Sequence, residues 1–219
     1  QGKINQDGSI LAHDIYGKLE HSEVRGSFRQ NWSNLDFRFL LEGRCMPTEI
    51  NPWLKDWWDV IWQDFSWSQH IPYCDFDIKG QWLNRKKRTR TYGTVEVSNI
   101  SYRELPLEKG SLKVIVDEKK TIITEINLFP PGGKVEGNFS FPRSSLNQPL
   151  ILGFDLKGEI NPAHCRKAFG PIAEKALARF DTNSTVKAIA KGQVLLPNDN
   201  NRSDKDDLTH FQIHVDSQN

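Results

Sequence analysis

The chain resembles itself. The stretch beginning at Phe39 (FLLEGRCMP) returns at Phe154 (FDLKGEINP), so that Phe39, Leu41, Gly43 and Pro47 fall on Phe154, Leu156, Gly158 and Pro162 at a constant offset of 115. The same offset carries Trp57, Trp58, Ile61, Trp62 and Phe65 onto Ile172, Ala173, Ala176, Leu177 and Phe180, preserving an apolar helical pattern while changing its residues. After a three-residue deletion Lys79-Gly80-Gln81 meets Lys191-Gly192-Gln193, and upstream Val24 to Phe28 matches Val135 to Phe139 at an offset of 111. Such a period means that one supersecondary unit is built, then built again beside itself. The 219 residues hold nearly two copies, read as units 26–136 and 137–219 with 1–25 the end of a preceding unit. The whole is expected to be a piece of a longer array.

Within a unit the hydrophobic period is two. Phe37, Phe39 and Leu41 alternate with Asp36, Arg38 and Glu42, as in a strand with one dry and one wet face. Phe76, Ile78 and Trp82 against Asp75, Asp77 and Lys79 repeat the pattern, as do Leu112, Val114 and Val116 against Ser111, Lys113 and Asp117. Ile122, Ile126 and Leu128 are placed on a dry face and Ile123, Glu125 and Asn127 on a wet one; Val95, Val97, Val135, Phe139 and Phe141 extend the set. Lys109-Gly110, Asp117 to Lys120 and Pro130-Pro131-Gly132-Gly133 read as turns between these runs. About seven short strands per unit joined by short turns predict antiparallel pairing, since parallel neighbours need long crossovers.

One helix per unit interrupts the strands. NPWLKDWWDVIWQDFSW opens with Asn51 as N-cap and Pro52 at the first helical position, and its apolar residues cover about 200° of arc. In the second unit the helix restarts at Gly170-Pro171 and runs to Phe180. The predicted class is mainly β: a curled antiparallel sheet of about two tandem repeats with one short helix in each. Some fourteen strands in one open sheet would exceed the usual size, so it must curl, split or find cover, and a two-sheet sandwich stays open.

Composition removes several functions. Lys+Arg 29 against Asp+Glu 28 leaves no global field to gather nucleic acid. The run Arg85, Lys86, Lys87, Arg88 and Arg90 is answered in the second unit by Asp199, Asp204, Asp206 and Asp207, as expected of a solvated turn. The six histidines are scattered, and His210 and His214 on one strand would stand about 13 Å apart, too far to share a metal. Neither a phosphate-binding glycine loop nor a nucleophile elbow is present, so no enzyme, catalytic metal or cofactor is expected. Cys45, Cys74 and Cys165 match no zinc or redox spacing.

Gly93-Thr94-Val95-Glu96-Val97-Ser98-Asn99-Ile100-Ser101-Tyr102, the Pro131 to Gly137 run, and the strand, Pro, helix, strand unit beginning at Phe39 resemble the large AsmA-like proteins of diderm bacteria. The resemblance implies a periplasmic protein, anchored to the inner membrane by a segment outside this chain, whose long sheet curls around an apolar groove. It also implies passage of phospholipid between inner and outer membranes, with proteins of either membrane as possible partners. The dry faces then supply the candidate lipid-binding residues: Phe37, Phe39, Leu41, Ile78, Trp82, Val95, Val97, Leu112, Val114, Ile126, Phe139, Phe141, Phe154 and Leu156, lining a groove for acyl chains. Two other readings stand beside it. One is a β-sandwich binding cell-envelope glycans on Trp32 or Trp82; the other is a structural or assembly protein without a small ligand.

Overall fold

In the computed structural model, the described residues are 2–6, 8–53, 62–67, 70–83, 89–117, 120–142, 150–165, 168, 174, 185–196 and 208–216. Thirteen strands form one antiparallel sheet. In chain order they are β1 (Gly2–Ile4), β2 (Ser9–Lys18), β3 (Glu23–Asn31), β4 (Asp36–Arg44), β5 (Phe65–Ser66), β6 (Tyr73–Gln81), β7 (Arg90–Tyr102), β8 (Leu105–Val116), β9 (Lys120–Phe129), β10 (Lys134–Pro142), β11 (Leu150–Ile160), β12 (Val186–Leu196) and β13 (Leu208–Asp216). All but β5 follow one another across the sheet in sequence order. The two-residue β5 pairs instead with the end of β7, through Phe65 opposite Tyr102, where β7 has outrun β6. At about 4.8 Å per strand the path measures on the order of 50 Å, and an open sheet of this width curls. No second sheet faces it among the described residues, so these strands do not build the sandwich left open above.

The repeat is visible in the hydrogen-bond register. β2 moved by 111 residues is β9, and β3 moved by 111 is β10, end for end; β4 moved by 115 falls within β11. Gly26 lies opposite Leu41 and Gly137 opposite Leu156, the same pair one unit on. Ser9 opposite Asn31 becomes Lys120 opposite Pro142. Even the irregularity returns. β2 is bulged between Ala12 and Ile15 and β9 between Ile123 and Ile126, with Asp14 and Glu125 at positive φ (55° and 49°) as the extra residues. A bulge adds one residue on one strand and reverses which later side chains face the core. It therefore moves Ile123 onto the apolar face, opposite Val114 and Phe139, and Ile122 onto the wet face, opposite Ile115 and Ser140. The strict alternation read from the sequence had these two residues reversed.

A second correction concerns Lys79-Gly80-Gln81. The register sets Arg38 against Lys79 and its counterpart Gly153 against Gln193, an offset of 114 rather than the 112 of the sequence match. A slip of two residues preserves the alternation of faces, which is why the similarity in sequence could not detect it.

The helical segments also begin earlier than expected. Helix α1 spans Pro47–Ile50, with Pro47 rather than Pro52 in its first turn, and α2 spans Pro162–Cys165, its counterpart at an offset of 115. Asn51 follows α1 in αR geometry rather than the extended geometry of an N-cap, Asn51–Trp53 continue as a 3₁₀ turn, and Trp62 is again α-helical. Pro52 has no N–H for the Thr48 carbonyl, so α-helical bonding cannot pass it. Phe65 and Ser66, placed in the helix by sequence, are strand β5. The rest of the proposed helix, residues 54–61, and the body of the second one, including the Ile172, Ala173, Ala176, Leu177 and Phe180 face, lie outside the described residues.

The long connections after β4 and β11 leave from one rim of the sheet, and the core gathers there. Ile100, Leu105, Leu107, Ile160, Cys165, Ala168 and Val186 are buried together, with Phe65, Trp67 and Tyr102 packed against them. Phe65 and Trp67 stack at 5.1 Å, and Phe65 meets Tyr102 at 5.0 Å. Beside Asn99, at φ 50°, Ile100 joins this core. At the same rim Glu49 of α1 accepts hydrogen bonds from the Ser22 hydroxyl (2.5 Å), the His21 N–H (2.7 Å) and the His21 ring (2.9 Å), while Ser22 accepts one from the Met46 N–H. The Ser22 hydroxyl, then the His21 backbone N–H and ring, hold the Glu49 carboxyl below its usual value.

Two expectations follow. A Cβ on Gly137, already at φ 154°, would stand 2.1 Å from the Asp155 carbonyl oxygen, whereas one on Gly132 meets nothing within 4 Å. Gly137→Ala is expected to lower stability in chemical denaturation by about 2 kcal/mol or more, and Gly132→Ala by about 1 kcal/mol, from its φ of 69° alone. Because the folded-state pKa of Glu49 is depressed, its contribution is full above the unfolded value near 4.5 and is lost as pH falls through the folded one. Glu49→Gln should flatten the acid limb of the denaturation midpoint and leave its shape at neutral pH unchanged.

Candidate functional site: the apolar face of the sheet

Residues paired across neighbouring strands share a face, so the register decides which side chains stand together. From Leu41 the line runs through Phe76, Gly93, Val114, Ile123, Phe139 and Phe154 to Gly192, crossing seven neighbouring strands after β4. A second line joins Val97, Gly110, Leu128, Val135, Gly158 and Ala188. Phe37, Phe39 and Ile78 belong to the same face, as do Val95, Leu112, Ile126, Phe141 and Leu156. Trp82, just past β6, stacks on Phe37 at 4.4 Å and joins it too. All fourteen residues proposed from the sequence therefore stand on one side of the sheet. Sequence reading omitted Phe28, whose ring sits 4.5 Å from Phe39, and Ile123, hidden by the bulge.

Glycines on this face determine its relief. A Cβ on Gly80 would fall 2.8 Å from the Phe37 ring, one on Gly93 2.0 Å from Phe76, and one on Gly110 2.6 Å from Leu128. The large side chains thus lie flat across glycines of the next strand instead of standing upright, and interior strand glycines mark such close approaches. Their alternation with Phe and Leu was the available signal for this floor. Most of the face is half-buried, with Ile126 (2% exposed) and Phe141 (4%) fully covered and Trp82 (43%) open.

The other face is charged and paired across strands. Arg38 meets Asp77 with two bonds of 2.8 and 2.9 Å, Lys113 meets Glu125 at 2.6 Å, and Lys191 meets Asp155 at 2.8 Å. The Arg38 guanidinium, through its hydrogen bonds above all, holds the Asp77 carboxyl below its usual range. Pairs this exposed are screened by water and add little to stability. Tyr92 adds a ring 5.2 Å from the Lys79 ammonium. A depression beside Arg44, Tyr73, Glu96 and Lys109 opens on this wet side.

Among the described residues the three side chains of metal-ligating type that approach within 4.8 Å are Glu20, His21 and Glu49, at the β2–β3 turn and on α1. Glu49 is already committed to Ser22 and His21, and the group lies away from the apolar face. Trp32 is 55% exposed on the turn between β3 and β4. No helix of the described residues is long and apolar enough to cross a membrane. Compared with protein families, curated proteins and solved structures, the chain finds no match in any of the three.

An apolar face that is packed at its centre and open elsewhere should respond unevenly to truncation. Ile126→Ala is expected to cost about 3 kcal/mol in chemical denaturation and Leu41→Ala about 1 kcal/mol, because the half-buried Leu41 gives up less cover. Equal losses at the two positions would mean that something covers the Leu41 end as fully as the centre.

Proposed function

We propose that the chain is a segment of an AsmA-like lipid conduit, its curled sheet holding phospholipid acyl chains along the apolar face while the charged face meets water. One observation carries the reading: a continuous apolar surface crosses the sheet in register from one unit into the next, with the cross-strand ion pairs Arg38–Asp77, Lys113–Glu125 and Lys191–Asp155 on the opposite side. Apolar side chains left half-covered favour an occupant that removes them from water, and a bound chain gains about 0.8 kcal/mol per buried methylene. A floor flattened by glycines suits a smooth alkyl chain sliding along it. Nothing in the face selects a headgroup, so lipid identity is loosely controlled and no single residue is indispensable.

In this reading the protein works between the inner and outer membranes of a diderm cell, tethered by a segment outside these residues, and engages proteins of either membrane at its ends. The role is physical transfer, without chemistry on the lipid and without a cofactor. The exposed Trp32 is the feature a glycan-binding role would use; Trp82 is engaged by Phe37 and serves as part of the groove wall.

Native mass spectrometry of gently purified chain is expected to show co-purified phospholipids of mixed headgroup, and photo-crosslinkers at Leu41 and Val114 should capture acyl chains in envelope membranes. Val114→Glu, which sets a charge mid-groove, should reduce lipid occupancy at least tenfold. Recovery of no lipid together with no crosslinking at either position would refute the conduit and turn attention to the glycan or assembly readings.

A further inference from the structure

Cys45 and Cys74 stand together at the rim where β4 leaves the sheet and β6 returns to it. Cys74 lies opposite Gly43 in the β4–β6 ladder, and the Cys45 N–H extends that ladder past β4 by donating to the Pro72 carbonyl at 2.9 Å. Counting by twos from Gly43 puts Cys45 on the same face as Cys74, one step along the diagonal. Both are buried, at 7% and 5% exposure, and their thiols are hydrogen-bond partners. The third cysteine, Cys165, is in α2 within the Ile160–Val186 core.

The second unit shows what this place needs. By register the counterparts of Cys45 and Cys74 are Ile160, in the buried core, and Ala188, packed against it. Contact alone would thus be met by two ordinary apolar side chains. Two free thiols that hydrogen-bond across neighbouring strands can also bond covalently, and the connection they would close, residues 46–73, is the longest departure of the first unit from the ladder. A crosslink there restricts the unfolded chain and anchors α1 and β5 to the ladder.

We propose that Cys45 and Cys74 form a disulfide when the chain folds in an oxidising compartment, and that Cys165 stays a thiol. The oxidant is a low-molecular-weight or protein disulfide. One thiolate attacks it to give a mixed disulfide and one released thiol. The second cysteine then displaces the remaining donor thiol, so the chain loses two protons and two electrons and the donor disulfide becomes two thiols. With both sulfurs buried in the finished sheet, the exchange belongs to folding. The proposal is independent of the lipid reading.

The chain refolded from denaturant in glutathione buffer, oxidised or fully reduced, is alkylated under denaturing conditions and mapped by mass spectrometry. The oxidised sample is expected to take up one alkyl group, on Cys165, and to yield a linked Cys45–Cys74 peptide; the reduced sample takes up three. The denaturation midpoint should rise on oxidation, the rise should vanish in Cys45→Ser, and it should persist in Cys165→Ser. The same thiol count on chain exported to a bacterial periplasm reads the outcome without refolding. Three free thiols in both oxidised preparations, a glutathione adduct at Cys45 or Cys74, or a bridge to Cys165 would overturn the assignment and leave the pair as small apolar packing.

Discussion

Backbone hydrogen bonding between neighbouring strands carries most of this tertiary structure. The strongest packing between elements is between strands that also pair, from β1 with β2 through to β12 with β13. Stability in such an arrangement is close to a sum of local terms and nearest-neighbour terms, as in solenoids. Side chains modify that ladder without replacing it. On one face they lie flat over cross-strand glycines; on the other they pair as charges.

Because every later position depends on the phase of the strand, the small irregularities matter out of proportion to their size. Asp14 and Glu125 reverse the facing of the residues around them, whereas Asn99, also at positive φ, leaves the β7–β8 register unshifted. These non-glycine residues take up a left-handed conformation at a cost of about 1 to 2 kcal/mol each. The recurrence of the first two at corresponding places shows that the bulge belongs to the design of the unit. Without it Ile126 would face water and Glu125 would stand on the apolar side.

Alternation of apolar and polar residues made most of the strands legible, since a face that packs and a face that meets water leave a period of two. The same alternation gathered Phe37, Phe39, Leu41, Val114, Phe139 and Phe154 onto one side before any register was known. What it could not carry was phase. Ile122 and Ile123 are both β-branched and apolar, so only the backbone angle at Glu125 tells which one turns inward. The described ends of the helical segment differ from the expectation for another reason. Asn51-Pro52 and Met46-Pro47 are both plausible helix starts, and the choice was made by the offset that places Pro47 on Pro162 and by the ties of Glu49 to the β2–β3 turn. The offset of Lys191-Gly192-Gln193 was hidden because a shift by two is silent in any pattern of period two.

The seam between units has its own consequence. The 136/137 boundary read from the sequence falls inside β10; counting a unit instead from β2 to β8, the next begins at β9, and β8 pairs with β9 antiparallel with one bulge between Ser111 and Lys113, so the ladder continues from one copy into the next. Six strand-to-strand steps lead from β2 to β9, which at about 4.8 Å each is an advance of about 29 Å. A gene that duplicates or loses one unit would lengthen or shorten the sheet by that step, with every register and both faces preserved. Reach in this architecture is quantised, and matching it to the gap a protein must span is a matter of counting units.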